Sequence, residues 1–161
     1  MNLGKLTIIL LTAGITTAAA QSGLSFPADD RYVPQLGDIM NVAQARHQKL
    51  YLAGMARNWD LAAYQSHQLR GNLRDAAIFY SGIPIDNVST LAERLNAIDD
   101  AVAAKSTQRF SRAFVELTGG CNVCHQSLQR PFIVMKQPSD KMFGNQEFIP
   151  KGERQGTGHR E

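Results

Sequence analysis

Most of the chemistries that a short chain advertises are missing here. The chain carries only 2 cysteines, both within one pentapeptide, so there is no disulfide framework of the kind that staples small exported folds. Aromatic residues make up 7% of the chain and there is a single tryptophan. No Ser/His/Asp arrangement, phosphate-binding glycine loop or pair of catalytic carboxylates stands out, and the expectation is a protein that is not an enzyme. No segment alternates apolar and polar residues with period two, which argues against half-buried strands. An excess of one charge is lacking as well. With 17 basic against 14 acidic residues, the chain has no nucleic-acid footprint.

What is there begins at the N-terminus. Lys5 supplies a positive start, Leu6 to Ile15 is an apolar core too short for a comfortable membrane span, and Ala18-Ala19-Ala20 has the form of a cleavage site. Residues 1–20 are therefore expected to be a signal peptide that sends the chain to the periplasm, with Gln21 first in the mature protein. The remaining 141 residues (161 minus 20) fit one domain. They hold no second apolar run, so no membrane span is expected after cleavage.

After a polar lead-in over 21–34, helical periodicity dominates. Leu36, Met40, Ala43, His47, Leu50 and Gly54 form one stripe of a first helix running to about Arg57. Either Asn58 or Asp60 can cap a second, which carries Leu61, Gln65, Leu69, Leu73, Ala76 and Tyr80, with Gly71 as a weak point. After Ser81-Gly82-Ile83-Pro84, the Thr90-to-Glu93 spacing has the capping-box form. It predicts a third helix with Leu91, Leu95, Ile98 and Val102 on its inner face. Ser106 caps a fourth, whose stripe of Phe110, Ala113, Phe114 and Leu117 extends to Cys121, Cys124 and Leu128. Gly119-Gly120 either ends that helix early or lets another group approach it. The expected fold is all-α, an antiparallel four-helix bundle over 21–130. Pro131, Pro138 and Pro150 break any further helix. Residues 131–150 are expected to be an irregular arm packed on the bundle, and 151–161 a polar, disordered tail.

Both cysteines sit in Cys121-Asn122-Val123-Cys124-His125, a C-x-x-C-H. That is the attachment signature of a c-type haem. Two thiols three residues apart lie on one side of a helical turn, where each can add to one vinyl group, and the next histidine can reach the iron as proximal ligand. Three rival readings exist. Structural zinc needs four protein ligands, and no second Cys/His pair has suitable spacing. A thioredoxin-like pair expects a βαβ context. A plain disulfide accounts for neither the histidine nor the bundle.

A C-x-x-C-H on the last helix of an exported four-helix bundle resembles the class II c-type cytochromes, the cytochrome c prime superfamily. Leu36-Gly37-Asp38-Ile39-Met40, Arg46-His47-Gln48-Lys49-Leu50, Asn58-Trp59-Asp60-Leu61-Ala62 and Arg130-Pro131-Phe132-Ile133 add to the likeness with small monohaem bacterial relatives. The chain departs from the cytochrome c prime pattern in one respect, because 36 residues follow His125 (161 minus 125). The resemblance implies one covalent haem c bound through Cys121 and Cys124, His125 as proximal ligand, and Met40 as distal ligand. It implies electron transfer between redox partner proteins and leaves a homodimer open. The alternative is a five-coordinate protein that binds NO or CO. His47 is a further candidate for the distal side, as a ligand, a partner near a haem propionate, or a satisfied core histidine. A peroxidase would need distal acid/base groups, and only His47 offers one. Met135 and Met142 stand at an interval short for a class I loop ligand. Arg46, Arg109, Arg112 and Arg130 are candidate propionate partners. Tyr51, Trp59, Phe110 and Phe114 are expected in the core, with some of them walling the haem.

Overall fold

Asn58 and Ser106 start two of the four helices by the same chemistry. The Asn58 side-chain oxygen accepts from the Leu61 amide at 3.2 Å, and the Ser106 hydroxyl accepts from the Arg109 amide at 3.3 Å. Each satisfies a backbone donor that the helix start leaves unpaired. In the computed structural model, which describes residues 32–138, 146 and 148–150, the helices are α1 (Leu36–Met55), α2 (Trp59–Phe79), α3 (Ile85–Ala103) and α4 (Thr107–Ser127). No strand occurs among the described residues. Expectations for 1–20 and 151–161 fall outside them.

Three of the helices end alike. Arg57, Lys105 and Gln129 take positive φ values of 58°, 49° and 58°. In each case the next residue's amide reaches back to the last turn: Asn58 to the Ala53 carbonyl, Ser106 to that of Ala101, and Arg130 to that of His125. These are Schellman closures built on non-glycine residues. They keep the turns short, so consecutive helices pack antiparallel. α1 lies mainly on α2, α3 mainly on α4, and α2 joins the pairs. No described helix is long and apolar enough to cross a membrane.

α3 differs from the expectation. It begins at Ile85 behind Pro84, whose carbonyl accepts from Asn87 and Val88, so Thr90 and Glu93 are interior residues and not a cap. Pro84 fixes the lead-in dihedral, Asp86 suits the positive end of the helix, and nothing between them and Thr90 breaks the helix. Gly71 does not interrupt α2, and α4 runs through Gly119-Gly120.

The predicted stripes meet in one core. Leu50, Ala53, Ala62, Leu69, Leu91, Leu95, Ile98, Phe110, Phe114 and Leu117 are buried together, and Cys121, Cys124 and the arm's Phe148 pack against them. α1 and α4 are pinched at one end. A Cβ on Gly54 would lie 2.2 Å from the Phe110 ring, so only glycine allows this approach. Beside it Tyr51 and His47 rest on Phe114, with ring centroids 5.0 and 4.4 Å apart. Of the four neighbouring helix pairs, α1 and α4 share the smallest contact, and the space between their other ends is the cavity described next. On the far side of α4 a Cβ on Gly120 would come within 2.7 Å of Arg94. The small residue there admits a close neighbour, the second of the two readings of Gly119-Gly120.

Candidate functional site

The end of α4 sets up the site. Gln129 turns the chain out of the helix, a second turn closes from the Ile133 amide to the Arg130 carbonyl, and the arm then runs back along α4. Two sets of bonds hold it there. His125 Nδ1 lies 2.8 Å from the Ile133 carbonyl oxygen. The Asn122 side chain pairs with the Met135 peptide in both senses, its amide donating to the Met135 carbonyl at 2.9 Å and its oxygen accepting from the Met135 amide at 2.7 Å. Farther out, the Gln137 amide donates to the Tyr51 hydroxyl at 2.8 Å.

The arm thereby forms one wall of a partly open cavity of about 270 Å³, close to the lower end of ligand-sized pockets, about 300 Å³. α1 contributes Leu36, Met40, Ala43, Gln44 and His47, α2 contributes Leu69, Leu73 and Ala76, and α3 contributes Val88 and Leu91. Cys121, Cys124 and His125 come from α4, and Leu128, Arg130, Ile133 and Met135 from the chain beyond it. The walls are mostly hydrocarbon, with sulfur and imidazole concentrated on two sides.

A carbonyl oxygen only accepts, so the 2.8 Å contact places the imidazole proton of His125 on Nδ1 and leaves the lone pair on Nε2. Imidazoles that bind metals are held in this way. His47 is satisfied differently. The Thr118 hydroxyl donates to the Phe114 carbonyl at 2.8 Å and lies 2.9 Å from His47 Nε2. Its proton is already committed, so His47 Nε2 is the donor in that second bond. His47 is thus a core histidine at the floor of the cavity, with its Nε2 engaged as a donor to Thr118.

Burial governs the ionisable groups. It pushes the Cys121 thiol up to about 11, with the neighbouring Cys124 acting the same way, and it raises Cys124 against the opposing hydrogen bond from Asn87. Both are free thiols and are neutral at ordinary pH, unlike an activated thiolate of a redox pair. Among the described residues no three His, Cys, Asp or Glu side chains converge on a metal-ion position, so the zinc reading gains no support.

Burial also lowers His47 from 6.5 to about 4. The folded state therefore holds this histidine neutral where the unfolded chain would protonate it, and the stability concerned is complete above pH 6.5 and drains away as pH falls toward 4. The shift corresponds to about 3 kcal/mol. Thermal midpoints should fall across that window in the native protein and fall distinctly less in His47→Gln; parallel curves would show that His47 is not the group responsible.

Met40, Cys121, Cys124 and His125 thus come together in one cavity, and Met135 lines it as well. Of the four arginines considered for propionates, Arg130 lines it; Arg109 and Arg112 border a separate hollow with Asp100 and Glu116. None of Tyr51, Trp59, Phe110 and Phe114 is among the lining residues. These rings fill the pinched end of the bundle, and aliphatic side chains form the walls. His67 is exposed on α2; Met142 and His159 fall outside the described residues. Sequence reasoning passed over Asn122, Thr118 and the Ile133 carbonyl. Only Asn122 had a readable signal, since an amide between the two cysteines offers a donor and an acceptor together. No protein-family model matches the chain, and neither a curated protein nor a solved structure does.

Proposed function

We propose that this chain is a monohaem c-type electron carrier of the class II kind, exported to the periplasm by residues 1–20. The observation that carries the reading is the His125 imidazole, anchored through Nδ1 on the Ile133 carbonyl with its Nε2 lone pair available, in a cavity it shares with both free thiols and Met40. The residues present fit a haem. Cys121 and Cys124 would attach it, His125 would serve as proximal ligand and Met40 as the distal one, while the hydrocarbon walls suit a porphyrin face and Arg130 suits a propionate.

A bound haem supplies a one-electron ferric–ferrous couple. The protein's own part is positional and electrostatic. His125 holds its nitrogen through a fixed backbone contact, so little has to move when the charge changes. A thioether from Met40 favours the reduced state relative to a second histidine. The apolar walls from α2 and α3 oppose a net positive charge and act in the same direction.

A second reading uses the same cavity. With Met40 standing aside, the space beside Leu36, Ala43, Leu69 and Leu73 suits an apolar diatomic such as NO or CO.

Mass spectrometry and one spectrum separate these readings. Protein produced with haem-attachment machinery should be heavier than the processed polypeptide by one haem, and its ferrous form should be low-spin and indifferent to CO. A high-spin spectrum that shifts with CO would establish the gas-binding alternative, and a mass without haem would overturn both.

A further inference from the structure

The arm contacts α4 through backbone groups two residues apart, and their spacing has a physical reason. In an extended segment the polar groups of residues i and i+2 face the same edge, and their side chains the same face. The Ile133 carbonyl and the Met135 peptide accordingly both meet α4, the side chains of Ile133 and Met135 both line the cavity, and Phe132 and Val134 turn outward, 76% and 71% exposed. Fixing Met135 therefore fixes the carbonyl on His125. The group that fixes it is Asn122, between the two cysteines.

We propose that Asn122 is a positioning residue for the axial histidine. Its two-way amide pairing with the Met135 peptide keeps the Ile133 carbonyl on His125 Nδ1, so the arm is a working part of the redox site and not a cover over it. The inference rests on the reading of His125 as an iron ligand. A carbonyl held on Nδ1–H makes the imidazole a stronger donor and favours the oxidised metal. When the pairing is lost the carbonyl is no longer held in place, and the oxidised state loses that advantage.

The test uses holoprotein variants and two readouts. Asn122→Leu removes both hydrogen bonds while keeping a side chain branched at Cγ, with Asn122→Ala as a second variant should the leucine prevent folding. The oxidised-to-reduced ratio at a fixed applied potential should fall about tenfold, a rise in midpoint of about 59 mV for one electron. Trypsin should cut after the exposed Lys136 at least several-fold faster. Gln137→Ala is the control. It frees the arm from Tyr51 while leaving Asn122 in place, and should speed cleavage without moving the midpoint. An unchanged midpoint in a haem-loaded Asn122 variant would overturn the proposal, and so would an equal shift in Gln137→Ala. A wild-type protein that carries no haem would instead bring down the reading of the site itself.

Discussion

If the proposed haem and its Met40 ligation hold, Met40→Ala should turn a CO-indifferent protein into one that binds CO and shows a high-spin ferrous spectrum. The expectation follows from competition for one coordination position. If the thioether holds that position in all but about 1% of molecules, CO binds about 100-fold more weakly than its intrinsic affinity, and removing the sulfur restores that factor. The midpoint should fall at the same time, since methionine ligation favours the reduced iron. Met135→Ala is the necessary comparison, because both methionines line the cavity. Met135 is held on the arm that also carries the contact to His125 Nδ1, the side away from the ligating nitrogen, so its removal should leave CO binding as it was. If Met135→Ala gives the CO response and Met40→Ala does not, the distal assignment moves to the arm.

The largest effect on stability is expected from Phe114→Ala, a loss of about 3–5 kcal/mol against a total that for most domains is about 5–15 kcal/mol. Phe114 is fully buried and touches the rings of His47, Tyr51 and Phe110. Its backbone carbonyl accepts from Thr118, the hydroxyl that holds His47. Truncation leaves a void between α1 and α4 that the pinched helices cannot collapse to fill, because the Gly54–Phe110 contact already sets their distance. Urea unfolding measures it. The neighbouring Val115, 52% exposed on the same helix, should change stability by no more than about 0.5 kcal/mol on truncation to alanine. Equal losses at the two positions would refute the packing argument.

The parts of this fold that follow helical periodicity were open to a reader of the sequence. Met40, His47, Cys121 and Cys124 fall on stripes that the 3.6-residue repeat brings to one interior, and Asn58 and Ser106 announce their helices by side-chain chemistry. The arm was not legible in the same way. Its course depends on backbone carbonyls and amides at Ile133 and Met135, which every residue possesses and no residue type signals. The bond from His47 to Thr118 joins positions 71 residues apart, and nothing local in either helix announces it. The start of α3 was misplaced because a capping-box pattern also occurs harmlessly inside a helix when nothing upstream of it breaks the chain.

The glycine contact that pinches α1 against α4 also makes these helices a pair of arms with a fulcrum. Gly54 and Met40 are 14 residues apart on one helix (54 minus 40), about 21 Å at 1.5 Å per residue. A tilt of about 5° at the fulcrum therefore carries Met40 about 2 Å toward or away from α4, the difference between a sulfur in bonding reach of a metal and one outside it. On the proposed haem reading, the ring of Phe110 and the missing side chain of Gly54 would act as a remote adjustment of distal ligation, from the opposite end of the bundle.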